Sequence, residues 1–167
     1  MTIMNHVAIL TAGIGLILGA TAPAYAVGHY YSSNAVDKCQ AFTPGISNTI
    51  RNRVIGAQNI GTTAIAVACV FEMEQLYGQG SVTIDDVQLT FTNGDAAQTS
   101  VSCTLLPGSD GVYGTAVNAT VVIAAGAQGN VSFAGPFTGL YGMGVNCTLP
   151  PNVTINTTIF RYQNAET

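Results

Sequence analysis

The sequence has few of the residues on which most active sites depend. The chain of 167 residues contains two histidines, His6 and His29, and no tryptophan. His6 lies in a leader described below, so a histidine triad, a histidine-rich zinc site or a two-histidine iron site would depend on His29 or is impossible. We therefore predict that the protein is not an enzyme and that it binds no cofactor.

Positive charge is also scarce. Four lysines and arginines stand against eight aspartates and glutamates, and the formal net charge is −4. Nucleic acids and anionic membranes attract clustered lysine and arginine, which this sequence lacks. We predict no nucleic-acid partner.

Cysteine is present, but the C-x-x-C spacing of zinc ribbons and thioredoxin-like redox sites is absent. The four cysteines are Cys39, Cys69, Cys103 and Cys147. An even number of cysteines behind an export signal predicts two disulfides. Three pairings are possible, and spacing alone does not choose among them.

The N-terminus reads as an export signal. An apolar run, Val7–Ala22, precedes Ala24-Tyr25-Ala26, which has the A-x-A form of a cleavage site. The run of about 16 residues is short for a membrane span, which needs about 20. We predict that residues 1–26 are a signal peptide removed after Ala26, and that residues 27–167 form one secreted or periplasmic domain without a membrane span. The alternative is an uncleaved N-terminal anchor.

Residues 27–167 lack any long amphipathic helical pattern and are rich in Val, Ile, Thr, Ala and Gly. Seven to nine short alternating segments, separated by turn signals, predict an all-β, single-domain β-sandwich, immunoglobulin-like or jelly-roll-like. Alternation predicts which residues of four strands share one face: Ile65, Val67, Cys69 and Phe71; Val101, Cys103 and Leu105; Val145, Cys147 and Leu149; and Val153, Ile155, Thr157 and Ile159. Residues 62–71 give the clearest strand. Both of its faces are apolar, so we expect a central strand covered on both sides.

Three local features refine this picture. Residues 27–42 show no clean period and predict an irregular arm. The apolar phase changes at Asp85-Asp86, which predicts a β-bulge or a bend between sheets. Asn93-Gly94 is the strongest hairpin signal in the chain.

Two carboxylates are spaced for acid–base chemistry. Glu72 and Glu74 lie two apart on one strand face, so their side chains would be roughly 7 Å apart, within the range of an inverting glycosidase. Charges that keep a strand end soluble are the commoner explanation. A hydrolase using this pair is a minor alternative.

Four aspartates are weak candidates for a calcium site, because hard cations are bound by several oxygen ligands. They are Asp85, Asp86, Asp95 and Asp110. No spaced Asp-x-Asp-x-Asp motif accompanies them. We therefore predict no metal site.

The leading functional interpretation is a non-enzymatic module that acts by surface contact in adhesion, in the envelope or in assembly. The alternative is a small-ligand or glycan-binding module, with or without the help of calcium, that uses tyrosines and loop aspartates. Those tyrosines are Tyr30, Tyr31, Tyr77, Tyr113, Tyr141 and Tyr162. A protein or a glycan is the expected partner. We predict a monomer, since the N-terminal arm lacks the alternating apolar residues of a donated strand.

The cysteine contexts resemble those of a group of short exported bacterial proteins without assigned function. The resemblance rests on Lys38-Cys39, on residues 67–69 (Val-Ala-Cys), on residues 101–105 (Val-Ser-Cys-Thr-Leu), on residues 147–151 (Cys-Thr-Leu-Pro-Pro) and on residues 159–162 (Ile-Phe-Arg-Tyr). It implies a small β-sandwich in which Cys39 pairs with Cys69, and Cys103 with Cys147. It implies no catalytic residue.

Overall fold

Most of the described residues lie in β-strands, whose side chains alternate between the two sides of a sheet. The structure, a computed structural model, describes residues 26–42, 49–72, 83–109, 112–138 and 142–165. Its strands are β1 (Ala26–Asn34), β2 (Cys39–Ala41), β3 (Ile50–Arg53), β4 (Gly56–Asn59), β5 (Ile65–Glu72), β6 (Thr83–Asn93), β7 (Thr99–Ser109), β8 (Val112–Tyr113), β9 (Val117–Ile123), β10 (Gln128–Thr138), β11 (Gly142–Leu149) and β12 (Val153–Ala165). The described part therefore has twelve strands, more than the seven to nine expected.

The strands form two sheets that pack face to face as a sandwich, so the predicted fold class is confirmed. The first sheet has the order β10-β6-β12-β4-β3, with β1 also paired to β12. The second has the order β2-β5-β11-β7-β8, with β9 also paired to β7. All pairs are antiparallel.

The core lies between the sheets and follows the period of two. On β5, β7 and β11 the predicted inward residues are buried; they are Ile65, Val67, Cys69, Phe71, Val101, Cys103, Leu105, Val145, Cys147 and Leu149. Phe71 of the second sheet meets Phe160 of the first edge to face, with ring centroids 5.7 Å apart. Such aromatic contacts join the two layers across the core.

Two disulfides reinforce the second sheet. Cys39 on β2 bonds to Cys69 on β5, and Cys103 on β7 bonds to Cys147 on β11. In each bridge the two cysteines are directly opposite in the strand register. The pairing is the one that the resemblance implies. Disulfides persist in oxidising compartments such as the cell exterior and the periplasm.

The bulge predicted at Asp85-Asp86 is confirmed. Asp86 is opposite Arg161, whereas Ile84 is opposite Tyr162, so Asp85 is an extra residue in β6. The extra residue moves the buried positions from Ile84 to the odd-numbered Val87, Leu89 and Phe91. The bulge therefore places both aspartates at one end of the first sheet.

The hairpin prediction at Asn93-Gly94 is wrong. β6 lies in the first sheet and β7 in the second, so the chain crosses between layers here. The Asn93 side chain is fully buried, donates to the carbonyl oxygens of Ala97 and Ile123, and accepts from the Asp95 N–H. An Asn-Gly pair predicts a tight turn, but here a buried amide bonds both the following loop and the end of β9 and so forms a corner instead.

The irregular arm predicted for residues 27–42 is also wrong. Residues Ala26–Asn34 form β1, which pairs with β12 through nine consecutive positions. A single 3₁₀ turn, Ala35–Asp37, leads to β2. The segment lacks an alternating pattern because its inward residues, His29, Tyr31 and Ser33, are themselves polar or amphipathic.

Two predictions about individual strands need correction. β5 is central, between β2 and β11, but its second face is open, and Val70 is 52% exposed. Small apolar side chains can line a solvated face of an antiparallel sheet. Apolar residues on both faces of β5 therefore do not show that both faces are covered by other elements. On β12 the alternation expected from Val153 to Ile159 breaks at a bulge between Ile155 and Thr157. Thr158 and Phe160 are therefore the buried residues beyond it.

The described residues contain no helix with the length and apolarity of a membrane span. The predicted signal peptide lies outside them except for Ala26, so its removal stays a prediction.

Candidate functional site

The outer face of the first sheet carries mostly polar side chains from four neighbouring strands, and we call it the polar face. Its members are Tyr30, Ser32 and Asn34 on β1, Asn156, Thr157, Ile159 and Arg161 on β12, Asp86, Gln88, Thr90 and Thr92 on β6, and Gln128, Asn130, Ser132 and Ala134 on β10. Because alternate residues of each strand face the core, the side chains between them lie together on the solvent-facing side of the first sheet. Each pairing brings two of them side by side.

At one end of the polar face a tyrosine, an arginine and an aspartate lie in one row. Tyr30 is opposite Arg161, and Arg161 is opposite Asp86. The Arg161 guanidinium carbon lies 5.7 Å from the centroid of the Tyr30 ring, within the range of a cation–π contact. An Arg161 Nη1 atom lies 3.9 Å from Asp86 Oδ2. The row therefore has an aromatic surface, donors and acceptors, with its two charges balanced.

The two members most open to solvent in this row are the tyrosine and the arginine. Tyr30 is 62% exposed, and the Arg161 side chain is 57% exposed. Beside them, Gln163 Nε2 donates to Asp85 Oδ2 over 2.8 Å. A large exposed ring among polar groups is typical of a contact surface, because the ring contributes apolar area with little loss of side-chain entropy.

Next to this row the polar face contains a shallow recess of about 490 Å³. Its lining residues are Ser32, Ser33, Asn34, Ile55, Thr90, Gln128, Asn156 and Thr157. No lining side chain is charged. Hydroxyl and amide groups both donate and accept hydrogen bonds, so the recess matches a ligand that is itself rich in hydroxyl groups.

The β3–β4 turn forms one wall of the recess and is held by two amides. Asn34 Nδ2 donates to the Val54 carbonyl, and Asn156 Nδ2 donates to the Ile55 carbonyl, both over 2.9 Å. Gly56 follows with φ +144°, and a Cβ there would collide with the Ile155 carbonyl. The turn is therefore fixed against β12 while Val54 and Ile55 point to solvent.

Hydrogen bonds between side chains preorganise the floor of the polar face. Thr92 Oγ1 donates to Asn156 Oδ1 over 2.8 Å, and Gln88 Nε2 donates to Ser132 Oγ over 3.2 Å. Side chains fixed in this way lose less entropy when a ligand binds.

The structure separates the aspartates proposed for calcium. Asp85 and Asp86 lie at the bulge, whereas Asp95 follows Asn93 at the other end of β6, which is about 23 Å from Asp86 at 3.3 Å per residue. Asp110 lies outside the described residues. Within the described ranges, no three His, Cys, Asp or Glu side chains form a group that could hold a metal ion.

The other predicted residues divide between core, surface and undescribed segments. Glu72 ends β5, but its side chain and all of Glu74 lie outside the description, so the hydrolase alternative stays untested. The His29 ring stacks on the buried Tyr162 ring, with centroids 4.8 Å apart. Of the tyrosines, Tyr30 belongs to the polar face, while Tyr77 and Tyr141 lie outside the described residues.

Sequence reasoning missed Arg161, Gln88 and the recess. The even-numbered polar residues of β6 and β10 did alternate with apolar ones, so the solvated side of each strand was visible. The order of the strands was not, and without it Tyr30 and Arg161 have no reason to meet across 131 positions of the sequence.

The fold and this surface define a disulfide-bonded β-sandwich with an uncharged recess beside an exposed aromatic ring. No protein-family model and no curated protein matches the chain significantly. Among solved structures, it is similar to a family two carbohydrate esterase from Cellvibrio japonicus, with a TM-score of 0.47, 8% identity and 84% of this chain covered. The chain spans 37% of that esterase structure.

Two smaller solved structures are covered almost completely. One is the carbohydrate-binding module CBM36 in complex with calcium and xylotriose, with a TM-score of 0.41, 8% identity, and 78% of this chain and 98% of that one covered. The other is CsCBM6-3 from Clostridium stercorarium in complex with cellobiose, with a TM-score of 0.43, 13% identity, and 78% and 92% covered. TM-scores below 0.5 carry no inference about the ligand of this chain.

Proposed function

We propose that the protein is a non-enzymatic binding module that is exported from the cell and acts by surface contact, with a neutral glycan as its ligand. The observation that supports the proposal is the uncharged recess next to the exposed Tyr30 ring. A sugar presents apolar C–H groups on one side and hydroxyl groups around its rim. The Tyr30 ring can pack against the C–H groups of a sugar, and the amide and hydroxyl groups of the recess can form hydrogen bonds with its hydroxyl groups.

The charges near the site favour a neutral ligand over an acidic or basic one. The Arg161 guanidinium faces both the Tyr30 ring and the Asp86 carboxylate, so its charge is compensated locally. The recess itself contributes no charge. An anionic or cationic sugar would therefore gain little Coulomb energy and would still lose part of its hydration.

Tyr30→Ala tests the site. Glycan-array screening followed by titration calorimetry should identify a neutral oligosaccharide, and the substitution should weaken its binding at least roughly tenfold, equivalent to about 1.4 kcal/mol. The control is Tyr31→Ala, which removes the same residue type from the opposite face of β1, where the Tyr31 ring contacts Phe160. Both variants are first checked for wild-type unfolding transitions.

Equal loss of affinity in the Tyr30 and Tyr31 variants would place binding elsewhere, and an array without any retained neutral glycan would refute the ligand class. We expect the same affinity in calcium and in EDTA. The Asp85 and Asp86 carboxylates are already engaged by Gln163 and Arg161, respectively, and a calcium-dependent affinity would favour the calcium-assisted alternative.

A further inference from the structure

β1 is a sheet edge without the usual protection. None of the described strands pairs with its second side, because its only partner is β12. A strand edge presents a row of free N–H and C=O groups that can pair with another chain. Proteins commonly block such edges with short strands, charged residues, prolines or bulges.

The other edges of the sandwich carry that protection. β2 has three residues and β8 has two. β3 has four residues, two of which are the exposed Arg51 and Arg53. β10 is interrupted by a register shift at Gly135-Pro136, and β9 lies beside β10 where the two sheets meet.

β1 has none of these features. It is nine residues long, contains no charged residue and no proline, and pairs with β12 without a register shift. It also exposes two adjacent aromatic rings on opposite faces, Tyr30 at 62% and Tyr31 at 39%. A long, regular, uncharged edge with exposed aromatic side chains is the kind that pairs with another strand.

We propose that the free edge of β1 pairs antiparallel with β1 of a second copy, so that two first sheets join into one continuous sheet. β1 contains no charged side chain, so two copies can lie side by side without like-charge repulsion between side chains. Antiparallel pairing centred on Tyr30 places Tyr30 opposite Tyr30 of the second copy and Ser32 opposite its Gly28. Cross-strand aromatic pairs stabilise such ladders. A two-fold arrangement is closed, so the assembly stops at a dimer.

The proposed dimer differs from the monomer expected from the sequence. That expectation rested on the lack of alternating apolar residues in the N-terminal arm, which argues against a donated strand but not against pairing at the free edge of a regular strand. The pairing also places the two polar faces side by side on one surface, since Tyr30 lies on the strand at the junction. The inference does not depend on the glycan proposal, because it rests on the backbone edge.

Two substitutions add charge to the edge with little strain. Gly28 and Ser32 are exposed, and a Cβ at Gly28 meets no atom within 4 Å. Analytical ultracentrifugation of the wild-type protein over a range of concentrations should show dimers. The double variant Gly28→Lys, Ser32→Lys should weaken dimerisation at least roughly tenfold, since the lysine at position 28 of each copy lies opposite the lysine at position 32 of the other. Ser132→Lys, on β10 of the same sheet, is the matched control and should leave dimerisation unchanged.

Mixing two oppositely charged variants tests the strand pairing specifically, and dimer formation in the mixture shows that both variants are folded. The double variants Gly28→Lys, Ser32→Lys and Gly28→Glu, Ser32→Glu should each be largely monomeric alone, and an equimolar mixture should form dimers, because opposite charges then lie opposite each other across the junction. A wild-type protein that is monomeric at every concentration overturns the proposal. So does a dimer that Ser132→Lys weakens as much as the double lysine variant does, or a mixture that stays monomeric.

Discussion

Two buried asparagines hold the corners where the chain passes from the first sheet to the second. Asn59 ends β4, Asn93 ends β6, and both side chains are fully buried. Each side-chain NH₂ group donates to a carbonyl four residues ahead, and each Oδ1 accepts an N–H two residues ahead. The same bond pattern thus recurs at two crossings.

Each of the two asparagines also forms a hydrogen bond with the end of a strand that is distant in sequence. Asn59 Nδ2 donates to the Leu149 carbonyl over 2.9 Å, and Asn93 Nδ2 donates to the Ile123 carbonyl over 3.2 Å. Asn152, with φ 58°, lies between the corners, since its N–H donates to the Asn59 carbonyl and its carbonyl accepts the Gly94 N–H. One network of main-chain and amide bonds therefore closes this end of the sandwich.

Replacing Asn93 with alanine should lower the free energy of unfolding by about 2 to 4 kcal/mol, because the buried carbonyls that it satisfies would lose their donor. Urea unfolding followed by circular dichroism measures the change. The control is Asn130→Ala, an exposed position on β10 for which we expect a change within about 0.5 kcal/mol. If both variants unfold at the same urea concentration, the corner contributes nothing to stability.

Among the strands, β7 and β11 carry the bridge that ties the C-terminal half together. Cys103 and Cys147 are directly opposite, 44 residues apart in sequence, and both are buried. β11 is the central strand, and its other neighbour β5 is bonded to β2 by the Cys39–Cys69 bridge. Covalent bonds thus connect two neighbouring pairs of strands in one sheet.

The double variant Cys103→Ala, Cys147→Ala should lose roughly 3 to 4 kcal/mol of stability on the chain-entropy model for a loop of this length. Thermal unfolding under oxidising conditions gives the measurement, with the exposed Ser100→Ala on the same strand as the control. A double variant that melts with the wild type would show that the bridge stabilises nothing.

At the scale of the whole molecule, the sandwich is acidic, with a net charge of −4, and two of its four basic residues lie on the short edge strand β3. Its buried apolar residues form one cluster, which includes the Phe71–Phe160 contact between the two sheets. The predicted cleavage after Ala26 falls at the start of β1. The cut would therefore leave every β1–β12 pair except the first intact.

Intact-mass analysis of the protein recovered from the periplasm or medium of a secreting bacterial host should give a chain that begins at Val27 and contains two disulfides. Reduction and alkylation of the same sample should add mass at four cysteines, because all four are bonded. A recovered chain that still contains residues before Val27 would favour the uncleaved anchor.

The sequence by itself determined the local pattern. Alternation with a period of two assigned the inward residues of β5, β7 and β11, and the change of phase located the bulge at Asp85. These features depend only on neighbouring residues, because successive side chains of a strand point to opposite sides. The sequence also supplied the four cysteines, although their pairing came from a resemblance and not from their spacing.

Only the tertiary structure decided what depends on strands that are distant in sequence. The ordering of Ala26–Asn34 as a strand depends on hydrogen bonds to β12, and the crossing at Asn93 depends on carbonyls of another segment. The polar face likewise exists only because strand order brings Tyr30 beside Arg161. Pairing between strands that are distant in sequence produces no periodic pattern in either strand. The polar face and the free edge of β1 therefore become visible only in the assembled sheet.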